Sequence, residues 1–182
     1  MDFAVIASLI VGALALVFAF YKATWISKLS PGNDRMKEIS TYIHDGAMAF
    51  LTREYKSLAI FIVVLFAILI VLIDIQTAIC FLVGALFSIL AGYIGMQAAT
   101  KANVRTANAA KESGMTAALN IAFSGGAVMG MCVVGLGILG VSAAYMVFKE
   151  PNIVTGFGLG ASSIALFARV GGGIYTKAAD VG

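Results

Sequence analysis

Over 182 residues the chain is 61% hydrophobic and 12% charged, with a mean hydropathy of +1.00. An ordinary water-soluble domain carries roughly twice that share of charge, at about 25%, so bulk water is excluded as the main solvent of this chain. A bilayer core about 30 Å thick needs about 20 apolar residues per helical span, and five stretches free of Asp, Glu, Lys and Arg meet or approach that length.

The first runs from Phe3 to Tyr21. Asp2 stands where a signal peptide would carry basic residues, and no small-x-small cleavage pattern precedes Lys22, so a retained helix is expected. Residues 22–56 are read as a cytoplasmic loop, within which the longest polar stretch runs from Ser30 to Lys56. Within it, Ser30-Pro31-Gly32-Asn33-Asp34 reads as a turn leading to a helix cap. Met36, Ile39, Ile43, Ala47, Phe50 and Leu51 then recur at helical spacing, which predicts an amphipathic helix on the membrane surface. The alternative is a linker that merely joins two spans. His44, the sole histidine, has no ligand-like neighbours and is expected at the surface.

The second and third runs are Ser57–Ile73 and Ile75–Thr100. A basic loop follows, with Lys101, Arg105 and Lys111 read as topology-setting, lipid-facing charges. The fourth run, Met115–Phe148, is long enough that one end should project past the hydrocarbon or the helix should kink near Gly125 and Gly126. The fifth is Pro151–Ala168. Eleven of the twelve Lys and Arg residues fall on one side of these spans and only Lys149 on the other, which places the N-terminus outside and the C-terminus in the cytoplasm. The expected fold is an all-α, polytopic transmembrane helix bundle of about five spans, with residues 1–182 forming one membrane domain.

Glycine is frequent, at 20 residues. Gly126 with Gly130, and Gly156 with Gly160, have the spacing that lets helix backbones approach closely in lipid. Gly171-Gly172-Gly173 belongs to no Walker pattern. Cys80 and Cys132 lie inside apolar runs without CxxC spacing, so packing roles are expected.

Arg169, Lys177 and Asp180 continue out of the fifth run. At about 100° per residue they share one helix face, spread over about 16 Å of axis. Ionised groups so placed line a water-filled cavity or bind something charged, or else they snorkel from a cytoplasmic extension over residues 169–182. A lysine and an aspartate one turn apart are compatible with a metal–phosphate complex.

The segment GFGLGASSIALFARVGGGIYTKAADVG, Gly156 to Gly182, closely resembles the first active-site signature of membrane-integral pyrophosphatases. GAMAFLTREYK at Gly46 to Lys56 and the run Gly92 to Met131 agree with it. The resemblance implies a subunit of about sixteen helices, a homodimer, and hydrolysis of Mg-pyrophosphate coupled to H⁺ or Na⁺ translocation out of the cytoplasm. It implies Lys177 as a pyrophosphate ligand, Asp180 as a Mg²⁺ ligand and Arg169 as part of the ion-coupling region, with K⁺ a candidate activator. It places residues 169–182 at the start of a cytoplasmic active-site extension. No catalytic base is assigned, because one aspartate cannot supply both the metal ligands and the base, so these residues alone are expected to be inactive. The expected partners are pyrophosphate, the transported ion and the lipid bilayer, without nucleic acid. A prokaryotic cell membrane is the preferred location, with vacuolar or other acidic-compartment membranes also compatible. The competing readings are a non-enzymatic transporter or channel, and a structural membrane subunit.

Overall fold

The computed structural model describes residues 3–181, apart from the side chains of Ala179 and Asp180. Five helices account for nearly all of it: α1 (Phe3–Lys28), α2 (Asp34–Leu72), α3 (Ile75–Glu112), α4 (Met115–Phe148) and α5 (Pro151–Val181). Each is long and apolar enough to cross a membrane. All five expected spans are present, and each runs well beyond the minimum. At 1.5 Å per residue the 39 residues of α2 extend about 58 Å, nearly twice a bilayer core.

Local chemistry sets the ends. Gly32 adopts φ +85°, a left-handed turn that favours glycine, and the Asn33 side chain accepts from the Met36 N–H at 2.9 Å to cap α2. Asp74 caps α3 by accepting from the backbone N–H and the hydroxyl of Thr77, both at 2.7 Å. Lys149 in the left-handed region ends α4, and Pro151 opens α5 at a position where its missing N–H costs nothing.

The polar stretch expected to hold a surface helix leading into the second span is continuous with that span, all within α2. The basic segment Lys101–Lys111, read as a loop, is likewise helical and extends α3. Ala102, Ala107, Ala109 and Ala110 explain this, since alanine is the strongest helix former. The fourth helix passes through Gly125 and Gly126 without interruption.

α3 lies at the centre of two cores. On one side Ala91, Ala98 and Ala102 pack with Ala19 and Ile26 of α1 and with Val128 and Cys132 of α4. On the other, Ala78, Phe81 and Ala85 pack with Leu58, Ile62 and Leu69 of α2 and with Ile164 of α5. Contacts fix the helix directions. Ser8 meets Ser142 while Lys22 meets Ser124, so α1 and α4 are antiparallel. Gly156 meets Thr77 and Gly160 meets Phe81, so α3 and α5 are parallel.

Those last two contacts are backbone-close. A β-carbon on Gly156 would collide with the Thr77 carbonyl, one on Gly160 with the Phe81 carbonyl, and one on Gly84 with the Phe157 carbonyl. The Gly156/Gly160 pair therefore packs as its spacing predicts. Gly126 and Gly130 face open space, and Gly125, Gly135 and Gly140 make the close approaches of α4 instead.

Large side chains cover much of the outer surface, among them Phe3, Phe20, Val63, Val71, Phe123 and Val147. An apolar exterior over a small-residue interior suits a lipid solvent, in which close approach of backbones holds helices together.

Candidate functional site

Between the basic ends of α2, α3 and α5 the bundle opens. A cavity of about 560 Å³ is bounded by Phe50, Glu54 and Tyr55 of α2, by Thr100 and Asn103 of α3, by Met129 and Val133 of α4, and by Ala168, Arg169, Gly172 and Thr176 of α5. Its far end is stopped by Phe157, whose ring packs edge-on against Phe87 with centroids 5.9 Å apart.

α2 and α5 meet along two interlocked ladders. Gly46, Phe50 and Glu54 are spaced four residues apart on α2, as are Phe167, Gly171 and Tyr175 on α5, so each set occupies one helix face. Phe50 stacks on Tyr175 at 4.8 Å, Phe61 sits edge-on to Phe167 at 5.0 Å, and Gly46 makes room for the Tyr175 hydroxyl. Glu54 fills the notch at Gly171: its Oε1 lies 2.5 Å from where a β-carbon would stand.

Hydrogen bonds tie α2 to α3 on the cavity's opposite wall. The Tyr55 hydroxyl donates to the Ile89 carbonyl at 3.1 Å, and His44 Nδ1 lies 3.1 Å from the Thr100 hydroxyl. His44 is half-buried against α3 rather than a plain surface residue, because the continuation of α2 brings it alongside Thr100.

Of the residues singled out in the sequence, Arg169 lines this cavity. Lys177 is exposed two turns further along α5 and is not part of the cavity wall. The α5 helix continues through Asp180, but the side chain of Asp180 lies outside the described residues. Among the described residues no three His, Cys, Asp or Glu gather to hold a metal ion.

Two basic residues make specific contacts within the bundle. Arg105 donates from Nε to the Leu29 carbonyl at 3.0 Å and from Nη2 to the Ser27 carbonyl at 3.2 Å, satisfying the C-terminal carbonyls that α1 leaves open. Lys22 reaches inward to the buried Ser124 hydroxyl at 3.3 Å and lies 5.2 Å from the centre of the Trp25 ring, a cation–π distance. Cys80 and Cys132 are buried free thiols.

A long-helix membrane bundle with an arginine-bearing cavity and a lysine at its basic end is the arrangement to which the comparisons add a family. The model of the family described as inorganic H⁺ pyrophosphatase matches residues 13–182, and the chain belongs to that family. It is 62% identical, over 100% of its own length, to a Clostridium tetani protein that bears the name of a K(+)-stimulated pyrophosphate-energized sodium pump. It is 49% identical over 94% of its length to a Methanosarcina mazei protein named a K(+)-insensitive pyrophosphate-energized proton pump. A Pyrobaculum aerophilum protein of the latter name is 43% identical over 95% of the chain. The chain spans about a quarter of each relative's length, 27%, 26% and 26%.

Proposed function

We propose that the complete protein containing this segment hydrolyses Mg-pyrophosphate to two phosphates and couples that reaction to movement of H⁺ or Na⁺ out of the cytoplasm. The observation that carries the reading is the family match over residues 13–182, joined to relatives named as pumps for both ions. In this reading the basic end of the bundle faces the cytoplasm, the bundle sits in a prokaryotic cell membrane, and the active unit is a homodimer. K⁺ acts as a stimulating ion, a property that the relatives' names divide between them.

The C-terminal half of α5 is the element that joins the two processes. Lys177 binds pyrophosphate oxygens as a point positive charge, and Asp180 contributes a carboxylate to Mg²⁺, which screens the phosphate charge. Arg169 lies eight residues earlier, about 12 Å back along the helix axis at 1.5 Å per residue, and faces the cavity. A shift of α5 on substrate binding is therefore felt at both positions. Moving one charge against about 100 mV costs about 2.3 kcal/mol, so a modest coupling between the sites is sufficient.

Two variants of the complete protein in sealed vesicles test this, with phosphate release and ion uptake measured on the same preparation. Lys177→Ala should raise KM for pyrophosphate by about tenfold, the usual scale for one lost charge-assisted contact. Arg169→Ala should lower ion uptake per phosphate released. Unaltered KM in the first, or unaltered uptake per phosphate in the second, removes that residue from its role. Absence of any pyrophosphate-dependent phosphate release by the wild type removes the function.

A further inference from the structure

A groove of about 110 Å³ runs between α1 and α3 near their basic ends, apart from the cavity described above. Its floor is apolar, made by Ala23 and Ile26 of α1 and by Ile94 and Ala98 of α3. Its rim is polar: Ser27 and Lys101 are exposed, and the Gln97 amide donates to the Tyr93 hydroxyl at 3.1 Å and to the Met48 sulfur at 3.5 Å. Ile94, Ala98 and Lys101 recur one turn apart, so a single stripe of α3 passes from hydrocarbon to charge. Side chains on a helix lean toward its N-terminus, which for Lys101 is back over the groove. A helix with its side chains is about 10–12 Å across, so a space of this size takes part of one flexible chain and not a helix.

The basic residues at this end are differently engaged. Arg105 is committed to the carbonyls of Ser27 and Leu29, and Lys22 to Ser124 and Trp25. The Lys101 ammonium makes no hydrogen bond or ion pair among the described residues. Lys28, exposed at the end of α1, lies in sequence between the two carbonyls that Arg105 holds. The level is that of a lipid headgroup: Lys101 is the first charge past the third apolar run, and Tyr21 and Tyr93, both exposed, stand where aromatic rings gather at the membrane–water interface.

We propose that this groove binds an anionic phospholipid. The start of one acyl chain lies on the apolar floor, the phosphodiester accepts from the Lys101 ammonium, and Lys28 adds a second positive charge. A cation without a partner at the mouth of an apolar groove matches a ligand that is apolar at one end and anionic at the other, and basic pockets between spans take such headgroups. α1 packs mainly on α4 and meets α3 along a narrow seam, so a lipid seated there adds to the hold between the first and third helices. The proposal is independent of the pump reading, because its test measures lipid binding without turnover.

The complete protein, purified in detergent, is offered phosphatidylglycerol and phosphatidylcholine with the same acyl chains in equal amounts, and the retained lipid is read by native mass spectrometry. The wild type should retain phosphatidylglycerol in preference. Lys101→Gln should lower that preference by about fivefold, the scale of one basic residue at an anionic surface, whereas Lys101→Arg should keep it. Lys111→Gln, at the same end but outside the groove, should leave it unchanged. Ser27→Leu, which fills the groove from an exposed position and spares the charges, should lower retention of both lipids. No preference in the wild type overturns the proposal, as does retention of both lipids by Ser27→Leu at the wild-type level. An equal loss in Lys111→Gln and Lys101→Gln overturns it in favour of diffuse surface charge. Displacement of the lipid by equimolar glycerophosphoglycerol, the headgroup without its chains, overturns it in favour of a simple phosphate site.

Discussion

The two halves of α5 are both rich in glycine and use it in opposite ways. In the N-terminal half, Gly156 and Gly160 bring the helix onto the carbonyls of Thr77 and Phe81, so that α3 and α5 are locked backbone to backbone. In the C-terminal half, among the described residues, Gly172 and Gly173 have no neighbour within reach of a β-carbon, and Gly171 meets the flexible end of Glu54 and the edge of the Phe50 ring. Among the described residues, the first half of the helix is held backbone to backbone and the second only through side chains. A glycine-rich motif therefore has no single meaning, and what stands opposite each glycine decides.

The comparison breaks most readily at its fixed end. Gly160→Val should prevent α3 and α5 from docking, because the new side chain meets backbone that cannot give way. Overpacking of this kind costs about 1–3 kcal/mol and sometimes more, and the expected result is loss of the monodisperse peak in detergent size-exclusion chromatography. A folded, well-behaved variant would show that the lock is not needed.

A smaller effect is expected at Asp74, which holds Thr77 in place beneath Gly156. Hydrogen bonds from the Thr77 backbone and hydroxyl keep the Asp74 carboxyl below its ordinary value. Its contribution is complete above the ordinary aspartate value of about 3.9 and is lost as pH falls through the lower, folded value. Asp74→Ala should lower the melting temperature by a few degrees at neutral pH, whereas Asp74→Asn, still able to cap, should lower it less and should flatten the acid limb of stability against pH. Equal melting curves for wild type and Asp74→Ala would show that the cap adds nothing to the fixed end.

The smallest change is expected at the open end. Gly172→Ala has space for its methyl group and a helical backbone that alanine prefers, so stability should hold or rise by up to about 1 kcal/mol. If the C-terminal half must bend in order to work, ion uptake per phosphate should fall even as the melting temperature rises. A rise in stability with full uptake would mean that the freedom of this end is not used.

Much of this architecture is legible in the residues. Charge-free runs locate the spans, because no other feature yields five such stretches in one chain, and Asn33 after Pro31-Gly32 marks the start of α2. Arg169 stands out because a charge so close to an apolar run demands an aqueous or ionic partner. The length of the helices is less visible: Lys101–Lys111 looks like a loop by charge, and only its alanines betray the helix. Glu54 is hidden for a different reason. It lies in GAMAFLTREYK among other charged residues, and only the fold shows that its carboxylate turns into the notch at Gly171 while Arg53 and Lys56 remain exposed. The two GxxxG pairs are indistinguishable by spacing, and only packing separates Gly156/Gly160 from Gly126/Gly130.

The grip of Arg105 on the end of α1 has a consequence for how the molecule is made. The carbonyls of Ser27 and Leu29 are satisfied by a guanidinium that lies 76 residues beyond Leu29, so while α1 and α2 emerge from the ribosome that end has no protein partner there. The cap on this end of the first helix forms only once the third has been threaded and its basic tail lies on the same side. An inverted third helix would leave these two carbonyls without their cap, although α4 would still pack along α1.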